Sequence, residues 1–277
     1  MWRASSGSDW VIGGRSRVFA LLGDPVGHSL SPAMHNAAFL ALGLDAVYVA
    51  LRAVPSDVPH LIHALCRAGG GGNVTVPHKE SAAGCIELPS ERMQGLRACN
   101  TFWESEGRVC GDNTDVDGVL EGLARLDAPA TAWLIAGTGG GARAAVAAAQ
   151  LRGARVAVRS RDPARRAGFE SWVRARGVPL ALAEQCEVLV NTTPLGLRSG
   201  DHLPLALDEA PQAQVAFDMV YLQGETTWVR LMRQEGLRAA DGRAMLVAQG
   251  AAAFRRWFPE EEPPLEVMRA AVNDALR

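Results

Sequence analysis

Of the 28 basic residues in this 277-residue chain only one, Lys79, is a lysine; every other is an arginine. A guanidinium forks well onto carboxylates and phosphates but does not release a proton at any workable pH, whereas a lysine amine does so where its surroundings allow. A lysine-poor genome would leave an isolated lysine by chance, so the neighbourhood has to decide what Lys79 does. It lies in Asn73-Val74-Thr75-Val76-Pro77-His78-Lys79, which reads as a strand that meets a proline and then starts a helix. A carboxylate able to hold and orient the amine is offered by Asp115, in Gly111-Asp112-Asn113-Thr114-Asp115, and Asn100-Thr101 adds neutral hydrogen-bonding groups. Upstream, Ser29 and Ser31 flank Leu30 just before Pro32. Extended spacing puts both hydroxyls on one side, and with a helix start behind them they form a neutral cradle for a carboxylate. Ser31 also reads as a plain N-cap, with Pro32 at the first helical position.

A second constellation is Gly137-Thr138-Gly139-Gly140-Gly141-Ala142, which follows the apolar run 132–136 and precedes an alanine-rich helix. Glycines allow the tight turn and let backbone amides approach a pyrophosphate at the positive end of the helix, so strand, turn and helix together point to a dinucleotide. Which dinucleotide is decided about twenty residues on. There the chain reads Val158-Arg159-Ser160-Arg161-Asp162-Pro163-Ala164-Arg165, whose guanidiniums suit the additional phosphate of NADP. Asp162 dissents: turned toward the ribose, its carboxylate would favour NAD.

The elements that must position these groups alternate. Strands are expected at 18–22, 46–51 and 73–76, with helices at 31–43 and 58–68, the second stopped by the glycines 69–72. A further series runs helix 116–126, strand 132–136, helix 143–151, strand 155–158, helix 164–176 and strand 188–190. After an acidic, proline-bearing connector at 259–264, helix 265–276 closes the chain. This alternation predicts an α/β fold of parallel sheets covered by helices.

Composition narrows the function classes. The formal charge of −2 gives no reason to expect nucleic acid, and 48% apolar residues suffice for a sizeable core. Five widely spread cysteines without C-x-x-C fit reduced thiols in a cytoplasm rather than a disulfide framework. No apolar run approaches the ~20 residues of a membrane span. Residues 1–15 read as a flexible leader or tag remnant. His60, His63 and Cys66 share helical spacing but lack a closing ligand, so no metal is expected. Arg255-Arg256-Trp257 reads as a solvated helix face, and the scattered tryptophans as packing.

Taken together, the motifs resemble the shikimate dehydrogenase family over nearly the whole chain, from about Arg17 onward. They are Gly23–Asn36, Asn73–Lys79, Ala98-Cys99-Asn100-Thr101, Gly111–Asp115, Gly137–Ala142, Asn191-Thr192-Thr193-Pro194-Leu195-Gly196, Asp218-Met219-Val220-Tyr221 and Asp241–Gln249. The resemblance implies reduction of 3-dehydroshikimate to shikimate with NADPH by a monomer or homodimer. It implies a two-domain fold with a cleft between: an N-terminal α/β substrate domain at 16–115, completed by C-terminal helices at about 246–277, and a Rossmann-like NADP-binding domain at 116–245. Ser29 and Ser31 would hold the substrate carboxylate, with Tyr221 nearby. Thr75, Asn100, Asp115 and Gln249 would bind ring hydroxyls, and Lys79 and Asp115 would be the catalytic pair. Gly137, Thr138, Gly139, Gly140, Gly141, Ala142, Ser160, Arg161 and Arg165 would hold the cofactor, with Met219 and Gly242 flanking the nicotinamide.

The chain departs from the family in four places. Ser160-Arg161-Asp162 replaces Asn-Arg-Thr, Arg97-Ala98-Cys99 replaces Gly-Ala-Val, a fourfold glycine run precedes Asn73, and a proline often found after Tyr221 is missing. These leave open a quinate or aminoshikimate dehydrogenase, with NAD possible. Competing readings are a non-catalytic dinucleotide- or metabolite-sensing module and a folate-interconverting dehydrogenase. Intact Lys79, Asp115, Ser29 and Ser31 argue against the sensor, and the serine cradle suits a small carboxylate better than a pterin.

Overall fold

A computed structural model describes residues 12–198 and 200–277. Of the expected leader, residues 1–11 lie outside the described residues, while Gly13, Gly14 and Arg15 are exposed. The chain forms two compact units. One runs to Thr114 and resumes over Gly250–Ala275; the other holds Asp115–Gln249 with Leu276 and Arg277.

In the first unit the order is β1 (Arg17–Gly23), α1 (Ser31–Ala41), β2 (Ala46–Arg52), α2 (Val58–Arg67), β3 (Gly71–Val74), α3 (Lys79–Ala83), β4 (Leu88–Pro89), α4 (Glu91–Leu96), β5 (Thr101–Ser105) and β6 (Arg108–Asp112). The sheet order is β2-β1-β3-β5-β6-β4. Its β2-β1-β3 part is parallel, as alternation with helices demands, but β5 runs antiparallel to both β3 and β6. The expectation of an all-parallel sheet therefore fails here. Glu106 and Gly107, both at positive φ (53° and 77°), turn the chain in two residues between paired Ser105 and Arg108. Such a primed turn matches strand twist and closes an antiparallel hairpin.

The glycine run also behaves differently from expectation. Rather than merely stopping α2, it enters β3, displacing the strand expected at 73–76. A Cβ on Gly72 would strike the Ala20 carbonyl, and one on Gly71 would lie 2.6 Å from the Phe102 carbonyl. Only bare backbone allows β3 to sit this close to its neighbours.

The second unit contains α5 (Asp115–Ala124), β7 (Ala132–Ala136), α6 (Gly140–Arg152), β8 (Arg155–Arg159), α7 (Pro163–Ala175), β9 (Val188–Asn191), β10 (Val215–Asp218), α8 (Thr227–Gln234) and β11 (Arg238–Ala240). Its sheet is wholly parallel in the order β11-β10-β9-β7-β8. Strand order reverses at β7: β8 is added on one side of it and β9, β10 and β11 on the other. Ligands of open α/β sheets bind outside the carboxyl ends of strands at such a point. Buried alanines along α6 let that helix pack close.

Helix α9 (Arg243–Trp257) begins in the second unit and ends in the first, which α10 (Leu265–Ala275) completes. The end of α9 is only in part the expected solvated face. Trp257 is buried, donates its indole N–H to the Phe102 carbonyl at 3.2 Å and packs with Phe19, His35 and Tyr48. Both arginines of the trio stay exposed, as expected, Arg255 against Glu262 and Arg256 reaching Asp112 from a half-exposed side chain.

Candidate active site

In the first unit the chain leaves β1 and β3, adjacent parallel strands, at the same edge of the sheet. Asp24 N–H donates to the Val76 carbonyl at 3.0 Å and Thr75 N–H to the Leu22 carbonyl at 2.8 Å, so the two exits run side by side. Gly23 is required there, because a Cβ would collide with the Thr75 methyl. Past the first exit a turn closes from Ser29 N–H to the Val26 carbonyl at 3.0 Å, and the Ser29 hydroxyl accepts from Ser31 N–H at 3.2 Å. The two serines are thus neighbours through a turn, not through extended spacing. Ser31 is not the N-cap: Leu30 holds that position without a side-chain bond, and Ser31 is the first residue of α1. The helix begins one residue early because the Ser29 hydroxyl already receives the Ser31 amide.

Past the second exit His78 N–H folds back to the Thr75 carbonyl at 2.9 Å, and Lys79 opens α3 as its sequence predicts. His78 points away, its Nε2 lying 2.8 Å from the buried Ala53 carbonyl. The Lys79 carbonyl accepts from Cys99 N–H at 2.8 Å, and the Asn100 carbonyl accepts from Val74 N–H at 2.8 Å. These backbone bonds bring Ser29, Ser31, Thr75, Lys79 and Asn100 to one end of one sheet.

Asn100 is held in a buried polar chain. Its Oδ1 accepts from Thr114 N–H at 2.7 Å, and its Nδ2 donates to the Thr114 hydroxyl at 3.0 Å. Thr101 joins both, Asn73 donates to Thr101 at 3.0 Å, and the Tyr48 hydroxyl donates to Asn73 at 2.8 Å. Asp112, fully buried, accepts from Arg92 at 2.9 Å, Arg256 at 2.8 Å and the Ser90 hydroxyl at 2.6 Å. Burial pushes its carboxyl up, but the hydrogen bonds from Arg92 and Ser90 and the Arg92 charge hold it below the usual range. Sequence reading missed Tyr48, Asn73, Arg92 and Asp112. Arg256 was beyond pairwise inference, since 144 positions separate it from Asp112.

Asp115 is buried and opens α5, the first element of the second unit. In that unit Gly137 sits at φ +114°, where a Cβ would strike the Thr192 hydroxyl, and its N–H donates to the Arg159 carbonyl at 2.9 Å. Gly139 caps α6 with open space beside its Cα, and Gly140, Gly141 and Ala142 form the helix's first turn. The turn therefore presents unfilled helix-start amides with no side chain in the way, which fits a pyrophosphate. The dissenting Asp162 is occupied: its Oδ1 accepts from Ala164 N–H at 2.9 Å and Arg165 N–H at 3.1 Å, capping α7. Arg161 and Arg165 are exposed, whereas Arg159 is taken by Glu209 at 2.5 Å.

Asp218, at the end of β10, is fully buried and accepts from Asn191, Val220 N–H and Thr226. Burial pushes its carboxyl up to about 6. Gly242 packs where a Cβ would strike the Met219 carbonyl, so these two expected nicotinamide neighbours touch. Gln249 is buried and donates to the Leu246 carbonyl at 2.9 Å, while Tyr221 is half-buried. Of the declined metal trio, Cys66 turns into the core and His60 is exposed. Burial pushes the Cys66 and Cys99 thiols up to about 12 and Cys186 to about 11.

A polar sheet end and a glycine-rich dinucleotide turn, on separate α/β units, point to a dinucleotide-dependent oxidoreductase. Known proteins narrow the class. The Shikimate dehydrogenase substrate binding domain matches residues 21–102, and the Shikimate 5'-dehydrogenase C-terminal domain residues 242–272. A Shikimate dehydrogenase (NADP(+)) of Microcystis aeruginosa is 37% identical, over 95% of this chain and 98% of its own. One from Methanothrix thermoacetophila is 40% identical, over 94% and 98%. The Thermus thermophilus shikimate 5-dehydrogenase, solved with NADP(H) and shikimate, superposes with a TM-score of 0.83 at 35% identity, covering 93% of this chain and 99% of that one. The Listeria monocytogenes enzyme, solved with shikimate and NAD, gives 0.81 at 25%, covering 94% and 97%. The chain belongs to the shikimate dehydrogenase family.

Proposed function

We propose that this protein catalyses the reversible NADP-dependent reduction of 3-dehydroshikimate to shikimate, a step of aromatic amino-acid biosynthesis. The observation that carries the reading is the convergence of Ser29, Ser31, Thr75, Lys79 and Asn100 at one sheet end, in a chain matched over nearly its full length by NADP-linked relatives. The first unit is the substrate domain and the second the cofactor domain. Ser29 and Ser31 receive the substrate carboxylate, with Tyr221 beside it. Thr75, Asn100 and Gln249 bind ring hydroxyls.

Lys79 hydrogen-bonds the reacting oxygen, donating a proton to it during reduction and taking one during oxidation, and Asp115 orients the ammonium. General acid–base help of this kind contributes ~10²–10⁴-fold. The first-turn amides of Gly140, Gly141 and Ala142 hold the pyrophosphate of the cofactor, whose nicotinamide supplies the hydride. Ser160, Arg161 and Arg165 face its 2′-phosphate. Asp162 Oδ1 is engaged in capping α7, which ties that oxygen to the helix start and supports NADP over NAD.

The substrate assignment is tested by initial rates for shikimate, quinate and aminoshikimate, each with NADP and NAD. We expect the shikimate–NADP pair to give the highest kcat/KM. Preference for quinate or aminoshikimate would reassign the substrate, and no turnover alongside tight NADP binding would favour a sensor. A cytoplasmic location fits five free thiols. No helix of the described residues is long and apolar enough to cross a membrane.

A further inference from the structure

Asp112 is a carboxylate with no exposed surface, and burying such a charge is costly even when it is paired. Replacing a buried ion pair with apolar groups is often neutral or stabilising, so this cluster calls for a reason other than stability. Geometry supplies one. Both Asp112 oxygens are filled from different elements. Oδ1 takes the Ser90 hydroxyl and Asn113 N–H (2.7 Å), and Oδ2 takes Arg92 from α4 and Arg256 from the end of α9. The following residues are fixed in turn. Asn113 Nδ2 donates to the Ala98 carbonyl at 2.8 Å, and Thr114 N–H donates to Asn100 Oδ1 at 2.7 Å. Three consecutive residues are thus pinned by side chains and backbone, and the next residue in the chain is Asp115.

We propose that Asp112, clamped by Arg92 and Arg256, is a positioning residue that fixes the segment leading into Asp115. The proposal rests on Asp115 being the catalytic partner of Lys79. Arg256 is the place to test it, because its side chain is half-exposed and can be truncated without opening the core, whereas Asp112→Asn would leave two guanidiniums facing a neutral amide. Arg255, paired with Glu262 at the surface, is the control.

The experiment measures kcat and KM for shikimate and NADP in Arg256→Ala, Arg256→Lys and Arg255→Ala. It repeats Arg256→Ala in an Asp115→Asn background, and follows amide hydrogen exchange of peptides spanning residues 112–116. Small displacements of catalytic groups cost up to 10²-fold, so Arg256→Ala should lose about ten-fold or more in kcat. It should keep the KM for NADP, exchange faster at 112–116 and be partly rescued by lysine, while Arg255→Ala matches wild type. In the Asp115→Asn background the same change should cost less than about two-fold, since residues acting through one another are not additive. A merely structural role predicts a full additive loss, or a lower Tm with unchanged kcat; either result overturns the proposal, as does unaltered exchange at 112–116. If Asp115→Asn alone kept wild-type turnover, the catalytic reading of Asp115 would fail and the proposal with it. The exchange data would then show separately whether the clamp holds the segment.

Discussion

His35 offers a stability test whose size follows from its surroundings. It lies on α1 with no exposed surface, its ring stacked on Tyr48 (centroids 4.6 Å apart) and tilted against Trp257 (4.9 Å). Neither ring nitrogen finds a hydrogen-bond partner among the described residues. Burial is the one cause of its shift among the described residues, and Arg17 lies at the rim of this aromatic cluster, over Phe19 and Phe258. Burial therefore holds its pKa down, from the ordinary 6.5 to about 3. Between those values the unfolded chain binds a proton that the folded chain refuses. The stabilisation is complete above the unfolded pKa and is lost as pH falls from there toward the folded one. Going from about pH 7.5 to about pH 5, one such group should remove about 2 kcal/mol. That corresponds to a urea midpoint lower by roughly 0.7–2 M. His35→Phe keeps an aromatic ring in the stack and cannot titrate. Its unfolding free energy should therefore fall by about 2 kcal/mol less than wild type over the same interval. Comparing the two pH profiles cancels the carboxylates and other histidines common to both, together with any packing cost of the phenyl ring. Profiles that run parallel would refute the account, and would mean that the ring reaches water or a partner in the native state.

Lys79→Arg should leave shikimate affinity largely intact and remove most turnover, because the guanidinium binds but does not exchange the proton; near-normal kcat would end the proton-transfer role. Arg97, exposed and at φ 52°, occupies the left-handed position that ends α4, where the family pattern has glycine. Arg97→Gly should raise stability by up to about 1 kcal/mol in urea unfolding, and a loss would contradict the strain argument. Asp162→Ala should cost about 1 kcal/mol through loss of the α7 cap, whereas Asp162→Thr keeps a capping oxygen and removes a negative charge beside the Arg161 and Arg165 guanidiniums. Binding titrations should then show a higher NADP-to-NAD affinity ratio for the threonine variant, and an unchanged ratio would remove Asp162 from cofactor choice.

The second unit was the more legible half. Its strands 132–136 and 155–158 and its glycine turn follow local rules: short apolar runs, a helix start after glycine, and caps within three residues. In the first unit the hairpin of β5 and β6 escaped notice because Glu106-Gly107 is a weak turn signal and the flanking strands alternate poorly. The glycines before Asn73 read as a breaker because their role is set by distance to other strands, the Ala20 and Phe102 carbonyls, which no local pattern records. Helix α9 was partly misread for a similar reason. Arginine flanking tryptophan at a chain's end usually faces water, but here the Phe102 carbonyl draws Trp257 inward and Asp112 holds the guanidinium of the half-exposed Arg256, both partners distant in sequence.

The site divides along the same line. Ser29, Ser31 and Lys79 are legible as candidates because each sits where a strand gives way to a turn or helix start, and sequence marks such exits with Gly, Pro and Ser. Thr75 is a candidate through the family resemblance alone. What holds them is not legible in this way. Tyr48, Asn73, Arg92 and Asp112 lie inside or at the ends of elements, and their importance arises only when the sheet brings them together. Ser31 shows the two levels in conflict: its local pattern reads as a helix cap, yet its amide donates to Ser29 and the helix begins at Ser31 itself. A hydroxyl released from capping is one that can face a ligand. The mistaken cap therefore strengthens the functional reading of Ser31, because the bland explanation for a serine at that position no longer applies.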